Sequence, residues 1–125
     1  MRPFAALILL ATPLAAADVP SGQQVTLHEV LVDAQEDTTY LRFRFVAPQI
    51  GTDTAGTDFE AVGNDMMHLC KTVALSYMTE YALEGDTIVI SFMNKITEFG
   101  QSDPDTTQFF ESFRPQNGAC IWDEF

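Results

Sequence analysis

Thr39-Tyr40-Leu41-Arg42-Phe43-Arg44-Phe45-Val46-Ala47 is the stretch on which the fold turns. Leu41, Phe43 and Phe45 alternate with Arg42 and Arg44, the two-residue period of a strand with one apolar and one charged face. Pro48 follows and, having no backbone N–H to give to a ladder, ends the strand. Upstream, Val25 to Asp33 alternates Val, Leu and Thr with polar positions and reads as a second strand. The polar Ala34-Gln35-Glu36-Asp37 between them is a tight connection, so the two runs should pair as an antiparallel hairpin.

Downstream, Gly51 to Thr57 is rich in Gly, Thr and Asp and reads as a loop. Thr57-Asp58-Phe59-Glu60 fits a capping box opening a helix. Phe59, Val62, Met66, Leu69, Val73, Tyr77 and Tyr81 then recur at spacings of three and four, one apolar stripe over about six turns. Met66, Met67 and Met78 lie on or beside that stripe, where they fill core. Glu84-Gly85-Asp86 breaks the helix. Thr87 to Met93 is a strand apolar on nearly both faces, suited to the sheet interior. Glu98 to Thr106, with Gly100, Pro104 and three acidic residues, is a surface loop. Gln108 to Arg114 and Ala119 to Trp122 are two more strands, joined at Asn117-Gly118, where positive φ is favoured. The order β-β-α-β-β-β predicts one α+β domain, a long helix laid across a small antiparallel sheet.

A chain of 125 residues suits a single domain. Its 46% hydrophobic and 11% aromatic content is too high for a disordered chain. Eighteen acidic against six basic residues give a net charge of −12. That balance argues against nucleic acid, which asks for a basic footprint, and against anionic membrane surfaces.

The first seventeen residues read as an address. Met1-Arg2 is a minimal positive start, Phe4 to Ala11 an apolar run too short to span a bilayer, and Ala15-Ala16-Ala17 a small-residue cleavage signature. A signal peptide cleaved after Ala17 is therefore expected. It leaves a domain over 18–125, exported to the bacterial periplasm, with no later segment fit for membrane insertion. In an oxidising compartment the two cysteines, Cys70 and Cys120, read first as a disulfide. Closing a loop of about 50 residues is worth ~4 kcal/mol in the chain-entropy model.

His28 and Glu29 interrupt an apolar strand, which makes them candidate binding residues. If Val25, Leu27 and Leu31 point inward, Glu29 is buried; if Val30 and Val32 do, His28 is inward and Glu29 can meet Arg42 across the hairpin. The pattern leaves both registers open. Arg42 and Arg44 share a strand face and are candidates to grip a carboxylate or phosphate, with pairing to nearby Glu and Asp the plainer reading. Asp53, Asp58, Asp103 and Asp105 lack the spacing of a calcium loop and read as solvated acids. His68-Leu69-Cys70 has the wrong spacing for two ligands on one helix face. No nucleophile elbow, P-loop, dinucleotide fingerprint or HExxH is present, so no cofactor, no metal and no catalytic residue is assigned.

Several stretches carry a resemblance together: Pro20-Ser21-Gly22-Gln23, Val25 to Leu31, Leu41 to Pro48, Asp65-Met66-Met67-His68-Leu69-Cys70, Glu98-Phe99-Gly100, and the closing Cys120-Ile121-Trp122-Asp123-Glu124-Phe125. The set resembles an uncharacterised family of small exported proteins from Rhodobacter-related alphaproteobacteria. The resemblance implies a periplasmic protein and carries over no catalytic residue. The expected function is a non-enzymatic binding or modulatory module whose partner is a periplasmic or envelope protein. The alternative is a small ligand-binding protein or enzyme with a pocket under the helix.

Overall fold

The computed structural model describes residues 6–10, 15–54 and 56–123. Met1, Arg2 and Phe4 of the expected leader, and the closing Glu124-Phe125, lie outside the described residues. The strands are β1 (Ala6–Leu10), β2 (Ala15–Ala17), β3 (Val25–Gln35), β4 (Thr38–Val46), β5 (Thr87–Met93), β6 (Gln108–Gln116) and β7 (Ala119–Trp122). They form one sheet in the order β1-β3-β4-β5-β6-β7, with β2 also on β3. The helical segment consists of α1 (Phe59–Leu69), a π turn (Cys70–Ala74) and α2 (Leu75–Glu80).

The expected β3–β4 hairpin forms, pairing Val30 with Phe43 and Val32 with Leu41. The sheet is mixed rather than antiparallel. β5 runs parallel to β4, with Phe43 opposite Ile90, because a helical crossover returns the chain to the edge that β4 leaves free. β6 and β7 continue antiparallel, and Asn117 and Gly118 turn between them at φ 52° and 78°.

The core lies between the helix and one sheet face. Leu41, Phe43, Phe45, Ile88, Ile90, Phe92 and Phe113 pack there under Val62, Met66, Leu69, Ala74 and Tyr77. The Tyr77 ring meets Phe43 edge to face at 5.7 Å. Two details of the expected helix change. Asp58, not Thr57, is its cap, accepting from the Ala61 N–H at 2.8 Å, while Thr57 donates its hydroxyl to the Thr54 carbonyl. The apolar stripe also stops short of its ends: Phe59 is 75% exposed and Tyr81 50%. The π turn inserts one residue, so the buried face after it is set by Ala74 and Tyr77. Cys70, at the start of that turn, is disulfide-bonded to Cys120 on β7, their Cα atoms 6.3 Å apart.

Candidate functional site

The helix covers one side of the sheet; Arg42 and Arg44 stand on the other. Alternation puts them there, because Leu41, Phe43 and Phe45 are committed to the core. Arg42 Nε donates to Asp33 Oδ2 at 2.9 Å. Arg44 pairs with Glu29, its neighbour across the hairpin, and donates through Nη2 to the Thr97 carbonyl at 2.6 Å. The cross-strand partner of Glu29 is thus Arg44 rather than Arg42, and Arg42 belongs to Asp33. Asp33 is 1% exposed and Arg44 5%, so both ion pairs are partly withdrawn from water.

A β-bulge resolves the two registers left open for β3. Leu27 faces Phe45 and Glu29 faces Arg44, which leaves His28 as the extra, unpaired residue. Val25 and Leu27 can point inward before the bulge, and Val30 inward after it, so each register holds for half of the strand. His28 and Glu29 end up lining one concavity on the helix-free face, of about 430 Å³, with Leu31, Arg44, Ile96, Thr97, Glu98 and Phe99. They do not sit in a pocket under the helix. The Nδ1 atom of His28 is buried and has no hydrogen-bond partner among the described residues.

The loop between β5 and β6 roofs this face. Its ends are tied by Asn94 and Thr107, whose backbone groups bond at 3.0 Å and whose Asn94 side chain accepts from the Thr107 N–H at 2.9 Å. Thr97 and Thr106 hydroxyls meet at 3.0 Å higher in the loop. Asp103 accepts from the Asp105 N–H at 2.9 Å, and this bond, then the Thr106 hydroxyl and the Lys95 charge, hold its carboxyl below the usual carboxylate range. Gly100, at φ 83°, turns the chain directly after Phe99. The Phe99 ring lies 5.3 Å from the Arg42 guanidinium carbon and 5.6 Å from that of Arg44, a cation–π clamp over both arginines. Beyond it opens a second concavity of about 180 Å³, bounded by Arg42, Arg44, Ser91, Glu98, Gln108 and Phe110.

All four sequence candidates, His28, Glu29, Arg42 and Arg44, therefore come together around one loop tip. Sequence reasoning missed Phe99 and Glu98 as part of the site, although Glu98-Phe99-Gly100 stood among the recurring stretches. It missed Asp65 as well, an acid inside the apolar stripe that is 0% exposed. Among the expected acidic loops, Asp58 caps a helix and Asp103 closes a turn. Among the described residues no three His, Cys, Asp or Glu side chains gather to hold a metal ion, and no helix is long and apolar enough to cross a membrane.

A mixed sheet backed on one face by a disulfide-tied helix, with ion-paired arginines under a loop on the other, defines a small α+β protein with one open sheet face. The chain belongs to a family of unknown function (DUF6497), whose pattern matches residues 5–125. No curated protein and no solved structure matches it.

Proposed function

We propose that this protein is an exported, non-enzymatic binding module that meets a periplasmic or envelope protein through the helix-free face of its sheet. The observation that carries the reading is the Phe99 clamp. Both arginines are neutralised by carboxylates and capped by a ring, so neither presents a free guanidinium to a substrate. Around the clamp, Phe110 and Ile96, each 61% exposed, stand beside Glu98, Gln101 and Gln108. Exposed apolar side chains rimmed by polar ones suit a protein contact.

Export rests on the leader pattern, on the disulfide, and on the likeness to small exported proteins of Rhodobacter-related alphaproteobacteria. Cleavage after Ala17 removes β1 and β2, which pair with β3, and keeps every residue of β3 to β7 and the helix. The net charge, −12 for the full chain and −13 once Arg2 leaves with the leader, then steers the protein toward a basic partner surface.

The test places a photo-crosslinking residue at position 110 or 96, with exposed Thr79 on the helix as the control site, in cells that export the protein. One adduct formed from 110 and 96 but not from 79, on protein whose intact mass begins at Asp18, supports the reading. Equal adducts from all three positions would overturn it.

A second reading draws on His28. An imidazole nitrogen buried without a partner beside a 430 Å³ concavity suits a small ligand with a hydrogen-bonding group. Phe110→Ser should abolish the protein contact, whereas a small-ligand site would depend on His28 instead.

A further inference from the structure

The helix does not cover the whole inner face of the sheet. Between the first turns of α1 and the β6–β7 hairpin, a groove of about 320 Å³ stays open, lined by Phe59, Glu60, Gly63, Asn64, Glu111 and Trp122. Its two aromatic side chains are left largely in water, Phe59 at 75% exposure and Trp122 at 42%. Trp122 is nevertheless held in place. Its ring packs against Phe113 at a 41° tilt with centroids 5.5 Å apart, and its Nε1–H donates to Glu111 Oε2 at 3.2 Å. That bond also keeps the Glu111 carboxylate on the groove wall.

We propose that this groove binds a small quaternary ammonium cation. Aromatic faces attract cations through the ring quadrupole, most strongly where the cation surrenders little hydration. A quaternary ammonium meets that condition better than a primary ammonium, and its methyl groups suit an apolar wall. Glu60 and Glu111 supply the counter-charge, and among the described residues no basic side chain lines the groove. The excess of acidic over basic residues in the chain concentrates cations near its surface.

The N-terminal end of α1 lies at the groove, and a helix start on its own disfavours a cation. Here the Asp58 carboxylate caps the Ala61 N–H at 2.8 Å and Glu60 adds a second negative charge in the first turn. The helix start therefore presents net negative charge, and an anionic ligand is disfavoured. The groove lies across the sheet from Phe99 and involves none of the leader, so it stands or falls independently of the function proposed above.

Trp122 is the only tryptophan in the chain, so the groove carries its own fluorophore. The oxidised protein is titrated with tetramethylammonium chloride, with sodium chloride holding ionic strength constant and tert-butanol as the uncharged isostere. A saturable change in Trp122 emission is expected with tetramethylammonium alone. Phe59→Leu, which keeps the bulk and removes the ring, should weaken it about five-fold. Glu111→Gln, which keeps an acceptor for the indole N–H, should weaken it about three-fold at low salt. Phe59 is exposed, and unchanged circular dichroism will show that the variant is folded. No saturable change, the same change with tert-butanol, or wild-type affinity in Phe59→Leu would each overturn the proposal.

Discussion

The carboxylate of Asp65 accepts the backbone N–H of Ser21 at 3.0 Å and takes the Ser21 hydroxyl with its other oxygen. Gln23 Nε2 adds a bond to the same oxygen at 2.9 Å, and the Ser21 hydroxyl in turn accepts the Gln23 N–H. A fully buried acid on α1 thus anchors the segment that feeds β3, joining two stretches that are 44 residues apart. Asp65→Ala should cost about 2–4 kcal/mol, because it leaves buried donors unpaired around a small void. Urea unfolding should show a lower midpoint at an unchanged slope. A midpoint within error of wild type would mean that the anchor contributes nothing.

The bridge between Cys70 and Cys120 does similar work just past the end of α1, fixing the π turn to the last strand. Alkylation under non-reducing, denaturing conditions should label neither thiol. Cys120→Ala should lower stability by about 2–5 kcal/mol. Labelling of both thiols in the unreduced protein would remove the bridge from the account.

Much of this fold could be read from side-chain period. Leu41, Phe43 and Phe45 announce their strand and its buried face, and Asn117-Gly118 announces its turn, because both signals are local. The parallel pairing of β4 with β5 was not legible. It depends on which edge the chain returns to after the helix; the run Ile88-Val89-Ile90, apolar on both faces, is compatible with a parallel strand but equally with an interior antiparallel one. The β-bulge at His28 was hidden for a related reason: an inserted residue breaks alternation, and a broken pattern looks like two competing patterns. For the site, the four candidate residues were visible as polar interruptions of strands. Phe99 was not, since a loop aromatic looks the same in sequence whether it lies over arginines or points into water.

Arg44 and Glu29 allow a sharper test of the open face. The Arg44 side chain is 6% exposed and that of Glu29 17%. Glu29→Ala leaves the guanidinium with the Thr97 carbonyl, the Met93 sulfur and the Phe99 ring, and without an anionic partner among the described residues. The expected loss is about 3–5 kcal/mol, the cost of an uncompensated buried charge. The double variant Glu29→Leu with Arg44→Met should regain most of that stability, since neither charge then remains to be solvated. If the double variant is no more stable than Glu29→Ala alone, the penalty lies in packing rather than charge.

Tyr77 links the core to alkaline pH. Burial pushes its hydroxyl above the usual tyrosine value of 10.0, and the neighbouring Tyr81 and Glu80 push in the same direction. The hydroxyl is also buried with no hydrogen-bond partner among the described residues. A pKa raised by folding means that the unfolded chain loses this proton first. The stability tied to Tyr77 is therefore fully present below pH 10 and drains away as pH climbs toward the raised folded value. Tyr77→Phe should flatten that alkaline decline. At neutral pH it should cost nothing and gain up to about 1 kcal/mol, because an unsatisfied hydroxyl is removed while the ring's contact with Phe43 at 5.7 Å is kept. Melting temperatures of both proteins from pH 7 to 11 provide the check. Parallel curves above pH 10 would show that the hydroxyl is solvated in the folded state, and a loss at pH 7 would show that it has a partner.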